Sequence, residues 1–366
     1  MHAGPQLLLA SIRERYWPIH GKSLVNKVTR ECVTCFRAKP RPSAPIMGEL
    51  PTSRVTPSLP FSTTGVDYAG PFNLKTWRGR GARTYKAYVA LFVCFATKAI
   101  HIELVTGLDT QSFLAAFRRF VSRRGKPQQM VSDNGTTFQG ASNQINEIYQ
   151  FLSDSSDEIM TSLSNDGIKW SFLPVYTPHM GGIYEAAVKS CKYFLKRVLA
   201  AALLTYEEFV TVLIQVEGIL NSRPLCPLSN TDINDFSALT PAHFLIGRAI
   251  TTVPDYEYKD VPAHRLTLFQ QLQQLQQDFW RRWSRDYIGI LQQRTKWRSS
   301  KGPALSVDTM VVVKDDRLPP CQWKLGRIIQ THDGRDSVAR VATVLTSKGE
   351  IKRSYVHLCP LPINID

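Results

Sequence analysis

The chain has 366 residues, 43% of them hydrophobic and 20% charged, a foldable composition in a length that exceeds one ordinary domain. Its formal net charge is +15 and its pI about 9.6, and a field of that sign attracts polyanions, of which nucleic acid is the commonest. No apolar run reaches membrane-spanning length and no signal-peptide core opens the sequence, while seven cysteines, scattered apart from Cys32 and Cys35, argue against a disulfide framework; a soluble protein of a reducing, intracellular compartment is expected.

Leu7, Leu8, Ile12 and Trp17 lie near helical spacing, and Leu24, Val25, Val28 and Cys32 predict a second helix, so residues 1–40 read as a small helical unit. Cys-Val-Thr-Cys at 32–35 then sets two thiols in a tight turn at metal-ligand spacing. A tetrahedral zinc site needs two more ligands, for which His2 is a candidate third and His20 a weaker fourth; the alternative is a reduced, partly buried cysteine pair. Residues 38–60 hold six prolines with little periodicity and read as an extended linker.

Order returns over 62–68, where Val66 and Tyr68 alternate about Asp67 and turn its carboxylate away from its apolar neighbours on a strand. Arg78, Gly79, Arg80, Gly81 and Arg83 make a basic turn. The run YVALFVCFAT, 88–97, predicts a central strand buried on both faces. Over 100–104 His101 and Glu103 alternate with Ile100, Ile102 and Leu104, a pattern that makes His101 a structural strand residue. Residues 110–124 predict an amphipathic helix ending in a basic turn and a glycine stop.

A short strand over 128–132 runs into Asp133-Asn134-Gly135, a second carboxylate that the backbone turn can aim. Residues 139–166 read as a helix plus a long polar loop, 168–173 as a strand, and 176–182, with two glycines and a proline, as a mobile loop. A helix starting near Gly182 puts Glu185, Lys189, Lys192 and Lys196 on one stripe and Ala187, Cys191, Phe194, Leu195 and Val198 on the other side. A further helix over 206–220 closes a mixed sheet with helices packed on it; Glu217 and Arg223 at its end read as structural.

Residues 266–291 predict a long amphipathic helix on Leu266, Phe269, Leu272, Leu275, Phe279, Trp283, Tyr287 and Ile290. Its second half is basic (Arg281, Arg282, Arg285, and beyond it Arg294, Lys296, Arg298) with Trp280, Trp283 and Trp297 interleaved. That composition fits a nucleic-acid surface or, equally, a packing helix with a solvated face. Short β segments over 307–357 suggest a small β-barrel.

Asp67, Asp133 and Glu185 could meet at one sheet edge, although each read alone is more often structural and a charged stripe is usually a solvated face. Together, with no obvious side-chain nucleophile, they favour two-metal phosphoryl transfer, and Mg²⁺ or Mn²⁺ suits an all-oxygen ligand set that keeps several waters. Lys189 and Lys192 would hold backbone phosphates by point charge. His179 divides between contacting DNA or a leaving group and a purely structural place in its loop.

GVDYAGPF (65–72), VSDNGTTF (131–138) and TPHMGGIYEAAVKS (177–190) resemble the three acidic motifs of retroviral-type integrases. LNSRPLCPLS (220–229), LTPAHFLIG (239–247), FWRRWSRDYIGILQQRTKW (279–297) and LPPCQWKLGRI (318–328) are similar to the integrase of the Bel/Pao class of long-terminal-repeat retrotransposons, and HAGPQLLLASIRERYW with CVTCFR resembles that family's zinc-binding domain. The resemblance covers nearly the whole chain.

It implies a ribonuclease-H-like α/β core, a mixed five-stranded sheet with helices, flanked by a helical zinc domain and a C-terminal β-barrel. The implied divisions are 1–40 zinc-binding, 41–60 linker, 61–225 catalytic core, 226–300 extension with the long basic helix, and 301–366 barrel. The implied activity is trimming of element DNA ends and transfer of the new 3′-hydroxyl into target DNA, with Asp67, Asp133 and Glu185 as metal-binding catalytic acids, and Asn134 and Gly135 as the turn that positions the second. Cys32, Cys35 and His2 match zinc ligands; the family's first zinc histidine would fall upstream of Met1, leaving that site incomplete. DNA contacts fall to Asn134, His179, Lys189, Lys192, Lys196, Arg281, Arg282 and Arg285.

Two departures stand out: the stretch 139–166 lengthens the gap before the third acid as a loop insertion, and Tyr184 stands where tryptophan is usual. The implied partner is double-stranded DNA held by a homo-oligomer, with the long helix a candidate for subunit contacts; the implied location is the nucleus, with a cytoplasmic particle stage for an active element. The alternatives are a non-enzymatic DNA- or chromatin-binding protein descended from an integrase, and an RNA-cleaving ribonuclease H, which the Asp-Asn-Gly motif and basic flanks disfavour.

Overall fold

Residues 4–38, 52–132, 168–172, 182–199, 202–229, 232, 234–253, 255–292, 306–334 and 339–362 are described by the structure, a computed structural model, and they form two compact units, Met1–Glu49 and Leu50–Asp366. In the first unit α1 (Pro5–Arg13) packs on α2 (Gly21–Glu31), and α2 on α3 (Val33–Ala38). The cysteine pair lies at the junction of two helices and not in a free-standing turn: Cys32 caps α2 and Cys35 sits inside α3. Val25 is the buried apolar side chain of α2, and Leu7, Trp17, Leu24 and Val28 stay exposed, so helical spacing here does not build a large core.

The second unit opens with the single turn α4 (Thr52–Val55) and then the long antiparallel pair β1 (Thr63–Lys75) and β2 (Thr84–Cys94). β2 also pairs antiparallel with β3 (Ile100–Val105), while β1 pairs parallel with β4 (Gln129–Ser132) and β4 with β5 (Lys169–Phe172). The order β3-β2-β1-β4-β5 is the mixed five-stranded sheet expected from the sequence. β1 outruns the predicted 62–68 because its ladder shifts register between Ala69 and Phe72 and resumes. Glycine is required at that shift: Gly70 has φ +146, and a Cβ there would stand 2.9 Å from Tyr88 Cδ1.

Alternation along β2 feeds two cores. Tyr88, Ala90, Phe92 and Cys94 meet α5 (Thr110–Arg124) through Phe113, Phe117 and Phe120, with Phe92 and Phe120 stacked at 4.4 Å between centroids. Asp109 caps that helix by accepting from Ser112 N at 2.9 Å, and Gly125 at φ 89 ends it. Val89, Leu91 and Val93 face α6 (Gly182–Leu199) and α7 (Tyr206–Asn221), where Cys191, Leu195, Phe209, Val212 and Val216 are buried. The apolar side of the Glu185 helix is therefore its core side, as its spacing predicts.

After α7 the chain makes the two-stranded β6 (Cys226–Pro227) and β7 (Ala238–Leu239), the short α8 (His243–Ile246) and the long α9 (Leu268–Leu291). β8 (Met310–Val313), β9 (Leu325–Asp333), β10 (Ala339–Thr346), β11 (Gly349–Ser354) and β12 (Leu358–Pro360) follow as an antiparallel sheet of order β11-β10-β9-β8-β12. Among the described residues its ladders leave β11 and β12 as open ends, so the sheet has the strands of the expected small barrel without its closure. Both faces of β8 are used: Val311 and Val313 meet Ile328, Ala342 and Val344, whereas Met310 and Val312 meet Ile288 of α9 and Ala238 of β7. Gly326 lets β9 approach β10, because a Cβ there would meet Leu345 O at 2.6 Å.

Candidate metal and nucleic-acid site

Pleating turns Asp67 away from Val66 and Tyr68, which are buried on the α5 side, and toward the side covered by α6. One carboxylate oxygen, Oδ1, accepts from Tyr68 N at 2.7 Å; the other, Oδ2, lies 2.5 Å from Lys192 Nζ on α6. The two side chains keep 21% and 26% of their surfaces exposed, so the pair is half-sunk over the central strand of the sheet, just past the end of β4. Val66 pairs with Ser132, the last residue of β4, so the strand of the second motif ends beside Asp67. Asp133, Asn134 and His179 lie outside the described residues; Glu185 and Lys189 lie on the described backbone of α6, whose side chains are described from Ser190 onward. Seven residues separate Glu185 from Lys192, two helical turns, so Glu185 occupies the face that carries Lys192.

Asp67 offers a hard oxygen donor, which suits Mg²⁺ in ligand chemistry, and its Oδ2 is occupied here by the Lys192 ammonium. No group of three His, Cys, Asp or Glu able to hold a metal occurs among the described residues, a set that omits Asp133 and the Glu185 carboxylate. His20, the N-terminal cap of α2, thus joins no such group with Cys32 and Cys35, and His2 lies outside the described residues. The two thiols are themselves neighbours: a hydrogen bond with Cys32 raises Cys35 above its ordinary value.

On β3, the edge strand two places from β1, lies a charged cluster that the sequence showed only as alternation. His101 Nε2 is 3.0 Å from Glu103 Oε1 and its Nδ1 is 3.5 Å from Glu217 Oε2, on α7. Arg119 Nε donates to Glu103 Oε2 at 2.6 Å, Arg123 Nη1 to Glu103 Oε1 at 3.2 Å, and Arg124 bonds both Glu217 and His101 Nδ1. Burial alone would lower the His101 value, but hydrogen bonds with Glu103 and Glu217 outweigh it and raise it. Burial would likewise raise Glu103, and His101 with Arg119 outweighs that and lowers it. His101 and Glu217 are structural, as read from the sequence, and they tie β3 to α5 and α7.

LNSRP is explained in the same way. Asn221 accepts from Ile100 N at 2.9 Å and donates to Ile100 O at 2.7 Å, Arg223 donates to Lys98 O and Leu220 O, and Ser222 Oγ accepts from Trp323 Nε1 at 3.2 Å. The motif staples the end of α7 to the start of β3 and to the C-terminal sheet.

The basic, aromatic half of α9 resolves into packing on one side and charge on the other. Trp280 and Trp283 are buried and surround Trp323, with centroids 4.8 and 6.2 Å away, so these rings do not form a surface for stacking bases. Leu272, Phe279 and Trp283 belong to the core shared with α6 and α7, so this face of α9 packs within its own chain. Among the cations, Arg281 pairs with Asp278 and Arg285 with Asp316 at 2.9 Å, while Arg282 and Lys196 are exposed. Arg78 of the basic turn is also engaged, donating to Glu208 of the α7 capping box at 2.5 and 2.9 Å.

A family of unknown function, DUF5641, matches residues 267–361, from the cap of α9 through β12. No curated protein matches the chain. Among solved structures, a chain from the simian T-cell lymphotropic virus intasome in complex with the PP2A regulatory subunit B56 gamma is similar at 13% identity and a TM-score of 0.34, over 98% of this chain and 99% of that one. The HTLV-2 integrase catalytic core domain, in a trimeric form with magnesium, is similar at 18% identity and a TM-score of 0.28, over 51% of this chain and 97% of that one.

Proposed function

We propose that the chain is an integrase of the retroviral type, from a long-terminal-repeat retrotransposon of the Bel/Pao class, that trims element DNA ends and joins them to target DNA in the nucleus. One observation carries this reading: β1 with Asp67, the end of β4 at Ser132 and helix α6 lie side by side, with an α6 lysine on the Asp67 carboxylate. These are the segments that bear the three acidic motifs, and long-range pairing brings them together. When bound, divalent ions held by Asp67, Asp133 and Glu185 would activate the attacking oxygen and stabilise the leaving one. Asp67 is aimed by its strand and by the Tyr68 N–H, so little side-chain entropy is lost when it takes up that role. Lys196 and Arg282 supply exposed positive charge on α6 and α9 for a phosphate backbone, and Lys192, Arg281 and Arg285 add to it although a carboxylate already faces each of them. Cys32, Cys35 and His2 hold zinc in the N-terminal unit, and two element ends require a homo-oligomer.

The test incubates the full chain with Mg²⁺ and labelled duplexes that end in terminal-repeat sequence, beside Asp67→Asn. Shortened or joined strands from the wild type, reduced to background in the variant, are expected. Salt-sensitive DNA binding by both with no product from either would replace this reading with a non-enzymatic DNA-binding descendant of an integrase.

A further inference from the structure

The Asp67–Lys192 contact has two possible consequences for a metal. One is to steady the carboxylate so that it binds metal better; the other is to occupy the place that a metal needs. The geometry separates them. Asp67 Oδ1 is already oriented by Tyr68 N, so the carboxylate needs no second group to fix its plane. Lys192 Nζ sits 2.5 Å from Oδ2, the oxygen left for a ligand. A divalent ion bound there at about 2.0–2.1 Å would stand against the ammonium, in steric and Coulombic conflict with it. Lys192 remains partly exposed on a helix whose next polar turn carries exposed Lys196, so a neighbouring anion can reach it.

We infer that Lys192 is the counter-ion of Asp67 in the DNA-free protein and competes with the metal, and that a nucleic-acid phosphate draws Lys192 away and thereby opens Asp67. DNA and metal then bind cooperatively, because each removes an obstacle to the other, and the coupling is reciprocal. The free protein keeps a half-buried carboxylate paired, which avoids the cost of leaving it unneutralised. Metal affinity in turn rises only where a phosphate backbone is present to be acted upon. This rests on the proposed metal-dependent function and adds an order of assembly to it.

The experiment titrates Mn²⁺ into the full chain, read by the loss of its free-ion paramagnetic-resonance signal, with and without a blunt duplex. It compares the wild type with Lys192→Met, Lys192→Arg and Asp67→Asn. Lys192→Met is expected to bind Mn²⁺ about thirtyfold more tightly than wild type without DNA, the factor for removing one unit charge ~4 Å from a dication in bulk water. Lys192→Arg, which keeps the charge, is expected to stay near the wild-type affinity. Duplex should tighten Mn²⁺ binding by the wild type and leave Lys192→Met nearly unchanged. If Lys192→Met binds Mn²⁺ equally or more weakly while Asp67→Asn abolishes binding, the competition is overturned and the metal reading stands. If Asp67→Asn binds as the wild type does, the metal reading itself falls and the inference with it.

Discussion

At the scale of single residues, the same kind of sequence signal led to opposite ends. Asp67 and His101 are both polar residues alternating on strands, yet Asp67 emerges half-exposed on the central strand and His101, on the edge strand β3, is sealed against α5 and α7. His101 faces Glu103 on its own strand, Arg119, Arg123 and Arg124 from α5, and Glu217 from α7. The neutral ring accepts from Arg124 Nε at 3.2 Å, and the charged ring donates toward Glu217; two carboxylates against one close guanidinium favour the charged ring. Burial opposes charging, yet the ring is raised above the ordinary histidine value of 6.5 in the folded state. A raised value means stabilisation that is complete below 6.5 and lost as pH rises through the folded-state value. Urea midpoints should fall as pH is taken from about 6.5 upward, and His101→Gln should remove most of that slope; a slope equal in wild type and variant would contradict the charged ring.

At the scale of elements, α9 is the instructive case. Basic residues with interleaved tryptophans describe a nucleic-acid stacking surface and a packing helix equally well, because composition has no information about which side meets the core. The structure buries Phe279, Trp280 and Trp283 and leaves Arg282 and Arg285 outside. Trp283→Ala should therefore cost about 3–5 kcal/mol of unfolding free energy, in the range for a large aromatic removed from a core. Arg282→Ala should stay within about 0.5 kcal/mol, as an exposed substitution does. Denaturant titration of both decides the matter, and a Trp283→Ala protein as stable as wild type would return the rings to the surface. The capping box at Thr267, with Gln270 Oε1 accepting from Thr267 N at 2.9 Å, fixes where this helix begins.

At the scale of the molecule, Leu50–Asp366 packs as one unit, although its sequence reads as linker, core, extension and C-terminal β segments. Trp323, in the turn before β9, touches both the α9 core and the sheet's own cluster and donates to Ser222 of LNSRP. Ile288 links α9 to β8 and β12. Shared apolar contacts make opening cooperative, so amides of β8 and β9 should exchange with solvent in step with those of β1 and β2. Peptide-resolved hydrogen exchange checks this, and a C-terminal sheet that opens far earlier would make it an independent domain.

Periodicity by itself marked strands at β1 to β5, the amphipathic helices α5, α6, α7 and α9 and the apolar side of α6, because burial of a face imposes a period on local sequence, whereas the two-residue strands β6 and β7 are too short to show one. Asp67 could be singled out from its own alternation. What periodicity could not hold was the pairing of β1 with β4, the register that sets Ser132 beside Val66, the Lys192 contact on Asp67 and the neighbours of His101. Those depend on residues far apart in the chain, and no local pattern encodes a partner across such a distance. The side chains that surround a charge are chosen only when the sheet closes and the helices land on it, and that choice decides whether a carboxylate becomes a ligand or a strut.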